Sequence, residues 1–417
     1  MPAVNADRLL KDLYSLRQFG TYKTGVHRPT YSEIDMAARK WLTGRMADAG
    51  LDAQIDGIGN VIGRSSAPGP VLLSGSHLET QPYAGWLDGA LGVIYGLEVA
   101  RAIAEDSACA SCGVDVAAWA DEEGHFKSFI GSRSFIGDLP DSEIDQINNK
   151  YDGTPLRAAL SAAGLAGKQR IQAEPNRYCG FFEAHIEQGD SLEASDLQIG
   201  VVTSIVAIWQ FKITAEGVQN HAGTTRMAIR KDAGLALVKL ATKIDRVFRS
   251  LAAERSVWTV GDIKLEPGAG SIIPGRGEMV FQFRDADMAQ LETFEAALQQ
   301  MVAKADADGP CSLTLETMAK STPRLMDPSL QLALEAGAEI HAHGKHIRMP
   351  SGAGHDAQYL AEIMPAAMLF VPSIGGISHH WTENTHDDDI VTGARTMAEA
   401  AARVLKAAFS EQSDLGR

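Results

Sequence analysis

Apolar residues recur along this chain with two different periods. Residues 6–19 and 31–49 carry them at helical spacing and predict two opening helices, with Thr30 and Glu33 spaced as a capping box before the second. Short continuous apolar runs follow at 71–74 and 114–119, and again at 178–184 and 368–371, and these read as buried strands. Helical spacing returns at 91–104, in a segment ending at 343, and at 389–410. Strands alternating with helices give the βαβ rhythm of a mostly parallel sheet.

The rhythm changes near residue 209. Strand patterns at 209–215, 257–264, 279–284 and 313–318 enclose helical ones at 229–249 and 287–306. The order β-α-β-β-α-β is the ferredoxin-like signature, and after residue 327 the α/β rhythm resumes. The expected fold is therefore α/β: a discontinuous domain over 1–208 and 327–417 built on a mostly parallel sheet, with an α+β domain inserted at 209–326.

Composition narrows the function classes. A chain of 417 residues can hold two cores, and 45% hydrophobic with 22% charged residues is ordinary for a globular protein. A formal net charge of −15, with no basic block, makes nucleic acid a poor partner. No apolar run approaches the roughly 20 residues that span a bilayer, so a membrane is not expected. Four scattered cysteines and no apolar leader point to a reduced, cytoplasmic protein. Cys109 and Cys112 have the spacing of half a zinc ribbon, but no second pair completes it, and they read as small loop residues.

Polar residues begin where the apolar runs stop, and ligands in open α/β sheets bind at the carboxyl ends of strands. His77, Asp88, Glu123, His185 and His379 all fall at predicted strand ends or in the adjoining loops. Imidazole with carboxylate suits zinc, manganese, cobalt or nickel. A carboxylate such as Asp88 can bridge two ions, and a water bound there has its pKa lowered from about 15.7 toward 7. Glu122 adjoins a candidate ligand and could carry the proton from that water to a leaving nitrogen. Each residue alone is unremarkable, but together at consecutive strand ends they make a metal-assisted hydrolytic site the leading reading. His355 is a further candidate, because Gly352, Ala353 and Gly354 let backbone approach a ligand; its alternative is a turn histidine bonded to Asp356.

The motifs Gly75-Ser76-His77, Asp88-Gly89-Ala90-Leu91-Gly92-Val93, Glu122-Glu123-Gly124, His185-Ile186-Glu187-Gln188-Gly189, His221-Ala222-Gly223-Thr224-Thr225, Ile273-Pro274-Gly275, Ser351-Gly352-Ala353-Gly354-His355-Asp356 and Gly376-Ile377-Ser378-His379 resemble one family from about residue 20 to 400. It is the hydantoinase/carbamoylase-type amidases of the zinc aminoacylase/carboxypeptidase superfamily, which includes N-carbamoyl-L-amino acid hydrolases, β-ureidopropionases and allantoate amidohydrolases. The resemblance implies two divalent ions, one held by His77, Asp88 and His185 and the other by Asp88, Glu123 and His379, with Glu122 as general base. It further implies a homodimer through the inserted domain, with His221 reaching the partner's site and Gln188 and Arg284 holding the substrate. A guanidinium fork fits a substrate carboxylate, which agrees with Arg284 in that role.

This chain departs from the family pattern around the pocket. Glu79 stands for the aspartate that orients the first histidine ligand, and Ser271 for an asparagine that helps Arg284 hold the carboxylate. Arg226 stands for a proline, Trp86 for an arginine or similar residue and Trp381 for a small residue or proline. The three either reshape the pocket toward a flat or more anionic substrate or only pack. His380 adjoins His379, and the motif selects His379.

The resulting expectation is a binuclear metal-dependent amidohydrolase cleaving a linear carbon–nitrogen bond of a small N-carbamoyl or ureido acid. One alternative is an N-acyl-amino acid or dipeptide hydrolase with the same metal centre. A remote one is a non-catalytic metal-binding scaffold, which gives Glu122 no reason to be present.

Overall fold

The computed structural model describes residues 2–415, and they form two compact units. One comprises the chain up to Thr203 and from Leu325 onward; the other is Ser204–Arg324. These junctions lie a few residues earlier than the change of period places them. Only Val206 separates the strands Ile199–Ile205 and Ala207–Glu216, so no loop marks the first junction in the sequence.

The first unit is built on a nine-stranded sheet whose centre is four parallel strands in the order Ala366–Val371, Tyr178–Ile186, Val71–His77 and Gly113–Trp119. Antiparallel strands flank them, Val61–Arg64 and Asp52–Ile55 beyond one side and Ile199–Ile205 beyond the other. Every residue of Val71–His77 and Gly113–Trp119 is buried, which is why both read as continuous apolar runs rather than alternating ones. Helices Ala90–Glu105 and Asp387–Leu415 pack on the sheet, and Ala90–Glu105 is buried from Ala90 through Ile103.

The second opening helix, Glu33–Asp48, starts later than the capping-box spacing suggested. Tyr31 has a left-handed backbone (φ 61°), so Ser32 becomes the N-cap and its side chain accepts from Asp35 N at 3.2 Å. Thr30 is used elsewhere, donating to Asp121 Oδ1 at 2.7 Å. All four cysteines are free thiols.

The second unit follows the order strand Ala207–Glu216, helix Ala233–Leu251, strands Val257–Glu266 and Arg276–Asp285, helix Met288–Asp308, strand Ser312–Lys320. Its antiparallel sheet runs Val257–Glu266, Arg276–Asp285, Ala207–Glu216, Ser312–Lys320, which is the ferredoxin-like arrangement. Residues of Arg276–Asp285 alternate between buried and half-buried, as expected where helices cover one face only. Phe211, Phe248, Phe281, Phe283 and Phe294 fill the core, with Phe248 and Phe294 stacked at 4.3 Å between centroids.

Candidate metal centre

The parallel strands deliver polar residues to one edge of the sheet. His77 is the last residue of Val71–His77, His185 lies one residue from the end of Tyr178–Ile186, and Glu122 and Glu123 follow Gly113–Trp119. Asp88 comes from the loop that opens helix Ala90–Glu105, and His379 from the segment after Ala366–Val371. Gly89 sits in the turn after Asp88 at φ 66°, where a Cβ would lie 2.4 Å from the His77 ring. Only glycine lets this turn approach the His77 ring so closely.

Asp88 is at the centre of the cluster and its two oxygens face different groups. Oδ1 lies 2.9 Å from His185 Nε2 and 3.3 Å from His77 Nε2, whereas Oδ2 lies 3.3 Å from His379 Nε2. Glu123 Oε1 is 3.7 Å from the same His379 nitrogen, and Glu122 Oε2 is 3.7 Å from His77 Nε2. Donor atoms fall within 4.8 Å of one another in three sets: His77, Asp88 and His185; Asp88, Glu123 and His379; and His77, Glu122 and Glu123. Two rings are oriented through backbone carbonyls, with His77 Nδ1–H donating to Glu79 O at 3.1 Å and His185 Nδ1–H to Ile186 O at 2.8 Å. Each ring is thus left with Nε2 toward Asp88.

The electrostatics follow from packing many charges into a buried space. Burial opposes charge on Asp88, but the histidines around it, His185 foremost, hold its carboxylate well below the usual range. Burial pushes Glu122 well above the carboxylate range against the pull of His77, and Glu123 adds to the rise. The hydrogen bond to Asp88 raises His379 to about 9 against the effect of burial. The cluster as a whole thus favours added positive charge. Glu123 Oε1 is buried and makes no hydrogen bond, and the donors include no thiolate, so the residues present suit a divalent ion such as zinc, manganese, cobalt or nickel.

Gln188 lies in the same cluster. Its Nε2 donates to Asp88 Oδ2 at 3.0 Å and to Ser378 Oγ at 3.2 Å, and its buried Oε1 has no hydrogen-bond partner. Gln188 and His379 both have left-handed backbones, at φ 61° and 54°, a costly conformation for non-glycine residues that concentrates at functional sites. His355 is buried with its Nε2 2.8 Å from Ser351 Oγ and packs edge-on against the His185 ring at 4.7 Å. Its partner is Ser351, not Asp356, and it buttresses a candidate ligand. His380 is exposed and bonds Thr382.

Glu79 is placed differently from the expectation that its carboxylate orients His77. The backbone carbonyl of Glu79 does that, while the carboxylate stays 3.9 Å from His77 Nδ1. The side chain, one methylene longer than aspartate, reaches Arg39 Nη2 at 2.8 Å and Glu122 N at 2.6 Å instead. Trp86 is buried, stacks on Tyr14 at 5.1 Å beneath the Arg17 guanidinium and bonds Asn384, so it is a packing residue. Trp381 is half-buried, with Lys23 Nζ 4.1 Å from its ring.

In the second unit His221 is exposed, and its Nδ1 accepts from Gly223 N and Thr224 N at 3.0 and 3.2 Å. His221 pairs with Ile272 across a two-stranded ladder, and just beyond it Ala222 N donates to Ser271 O. Arg284 is half-buried in Arg276–Asp285, and burial lowers its pKa. Arg226 is exposed.

Sequence reasoning missed Glu383. It is buried between two loops, its Oε1 accepting from Leu87 N and Asp88 N at 3.3 and 3.1 Å and its Oε2 from Ser378 Oγ at 3.1 Å, and burial raises it to about 8. Gln81 was missed too, and its Nε2 donates to Glu123 Oε2 at 2.7 Å. The only available signal was proximity, since Glu383 lies four residues after His379 and Gln81 four after His77.

A parallel sheet that gathers histidines and carboxylates at its carboxyl ends is the build of a metal-dependent hydrolase. The chain belongs to the peptidase family M20/M25/M40, whose model matches residues 74–403. It is 32% identical over 96% of its length, and 98% of the relative's, to an N-carbamoyl-L-amino-acid amidohydrolase of Paenarthrobacter aurescens. It is 29% identical over 96% of its length to a ureidoglycolate hydrolase of Arabidopsis thaliana, covering 87% of that protein. Among solved structures, an amidase of the hydantoinase/carbamoylase family from Burkholderia phymatum is 49% identical with a TM-score of 0.91, over 98% of this chain and 99% of that one.

Proposed function

We propose that this hydrolase cleaves a linear carbon–nitrogen bond in a small N-carbamoyl or ureido acid, using two divalent ions and Glu122 as general base. The observation that carries the reading is Asp88, whose Oδ1 faces His77 and His185 while its Oδ2 faces His379 beside Glu123. This supports a carboxylate that could serve two ions: His77, Asp88 and His185 would hold one, and Asp88, Glu123 and His379 the other. Zinc, manganese, cobalt and nickel all suit these donors. Bound there, such ions would stabilise negative charge on a carbonyl oxygen and acidify a water.

Glu122 lies outside both of these sets, although its carboxylate also falls within 4.8 Å of donor atoms of His77 and Glu123. The Glu122 carboxylate is buried beside His77, where it would take a proton from the attacking water and return it to the leaving nitrogen. Gln188, bonded to Asp88, would orient a polar group of the substrate, and the role the family resemblance gives Arg284 is to hold its carboxylate. Both named relatives act, by their names, on acids that carry a carbamoyl or ureido group.

The chain would work in the cytoplasm as a homodimer through the second unit, with His221 completing the partner's site. Supporting this, Val257–Glu266 is an edge strand with Val257, Val260, Ile263 and Leu265 exposed, an arrangement that invites pairing. Among the described residues no helix is long and apolar enough to cross a membrane. An N-acyl-amino acid hydrolase with the same centre would release a carboxylic acid, whereas a carbamoyl substrate yields ammonia and carbon dioxide. The deciding experiment is a hydrolysis screen of carbamoyl, formyl and acyl amino acids, allantoate, ureidoglycolate and aromatic amides, scored for ammonia and free amine on protein of measured metal content. Carbamoyl or ureido acids as best substrates, with activity lost on chelation, are the expected result. Full activity in metal-free protein would refute the mechanism.

A further inference from the structure

Glu122 depends on its backbone for its position, and that backbone is held in an unusual way. Asp121 turns the chain with a left-handed φ of 59°, and its carboxylate accepts from His125 N, Phe126 N and Lys127 N at 2.7, 2.9 and 2.9 Å. The loop beyond Glu122 is pinned by these bonds. The Glu122 amide itself points the other way and donates to Glu79 Oε1 at 2.6 Å. The second oxygen of Glu79 takes Arg39 Nη2 at 2.8 Å, and neither side chain has any solvent exposure. Arg39 is held in turn by Asp35 through Nε, at 3.0 and 2.9 Å, and its Nη1 reaches Gly59 O at 2.9 Å and Trp119 O at 3.2 Å.

We infer that Glu79, braced by Arg39, is a positioning residue that fixes the Glu122 backbone and so aims the Glu122 carboxylate at the reacting centre. A fully buried ion pair is weak evidence for stability, because desolvation cancels much of its attraction. Here the pair joins the segment after His77 to the end of the strand that leads to Glu122. The residue divides its work: its backbone carbonyl orients His77, and its side chain reaches Glu122. Reach is what the extra methylene provides, since an aspartate carboxylate would stop short by about one carbon–carbon bond, roughly 1.5 Å. The inference rests on the reading of Glu122 as the base.

The test is Glu79→Asp, which keeps a negative charge near Arg39 and the carbonyl for His77 but draws the carboxylate back from Glu122 N, and from Arg39 Nη2 with it. We expect kcat to fall about 10-fold, the worth of one hydrogen bond, with KM within about two-fold and metal content unchanged. In hydrogen exchange of the metal-free protein, the Glu122 amide should be protected in the wild type and exposed in the variant. In a Glu122→Gln background the same substitution should change kcat by less than about two-fold, because a residue acting only through Glu122 has nothing left to act on. Arg39→Lys, which loosens the brace without shortening Glu79, should give a smaller loss with the same dependence on Glu122, and it carries the test if Glu79→Asp does not fold. Wild-type kcat in Glu79→Asp, a full additional loss in the Glu122→Gln background, or rapid exchange of the wild-type Glu122 amide would each overturn the inference. Wild-type kcat in Glu122→Gln alone would instead remove the base reading on which it rests.

Discussion

The two sheets of this protein treat their polar residues in opposite ways. In the first unit the central parallel strands Val71–His77 and Gly113–Trp119 are buried on both faces, and the polar cluster gathers at the carboxyl ends of the strands and in the adjoining loops. There His77, Asp88, Glu122 and His185 are all buried; backbone carbonyls orient the two rings, Gln188 and Ser378 donate to Asp88, and Glu79 holds the Glu122 backbone. In the second unit an antiparallel sheet is covered on one face, and its candidate groups are at the surface: His221 is exposed and Arg284 half-buried. A buried cluster is organised before any ligand arrives, as strong electrostatic catalysis requires. Surface groups act when a substrate or a second subunit meets them. Substitutions in the first region should therefore destroy the reaction within their own chain, and those in the second should act through whatever meets the surface, His221→Ala by depriving a partner subunit's site and Arg284→Ala by weakening substrate binding in a graded way.

The largest effect should come from Asp88→Ala, which removes the carboxylate facing both donor sets. Activity should drop by several orders of magnitude and elemental analysis should show loss of bound metal, with circular dichroism unchanged. Retained metal and activity would break the contrast between the regions at once. Next is Glu122→Gln, which should keep the metals and lower kcat by about 10² or more, while Glu123→Gln should lose metal.

The second region is probed by complementation. His221→Ala and Glu122→Gln chains, each nearly inactive, should recover activity when refolded together. Random pairing makes half the dimers mixed, each with one intact site of two, so recovery should reach about one quarter of wild type. Verified heterodimers without recovery would exclude a shared site. A smaller effect is expected from Arg284→Ala, with kcat/KM for an acidic substrate lower by about 10- to 10²-fold and metal content unchanged. An unchanged kcat/KM would mean that the carboxylate is read elsewhere.

The smallest effect concerns pH. In metal-free protein His379 is raised to about 9 by Asp88, and Glu383 to about 8 by burial. Both bind protons more tightly folded than unfolded, so their contribution to stability is complete below their ordinary pKa values and is lost as pH rises through 8 and 9. The Tm of metal-free protein should fall between pH 6.5 and 9.5, and metal-loaded protein should resist that fall. A Tm of the metal-free form that is flat or rises over this range would contradict the electrostatic account of the cluster.

Much of this arrangement was legible before folding. Continuous apolar runs marked the buried strands, the order of strand and helix patterns marked the β-α-β-β-α-β insertion, and polar residues at strand ends and in the adjoining loops made His77, Asp88, Glu123 and His185 candidates, because burial leaves its period in the chain. Contacts between segments far apart in sequence leave no such period. Nothing near Glu79 announces that its carboxylate turns from His77 toward Arg39 and Glu122, forty or more positions away in either direction. The burial of Glu383 against Asp88, the packing of Trp86 on Tyr14 and the support of His185 by His355 are of the same kind. Local pattern decided which residues are polar at strand ends; the closure of distant loops over one another decided which atoms face the same few ångströms, since hydrogen-bond reach depends on three-dimensional placement that no local pattern encodes.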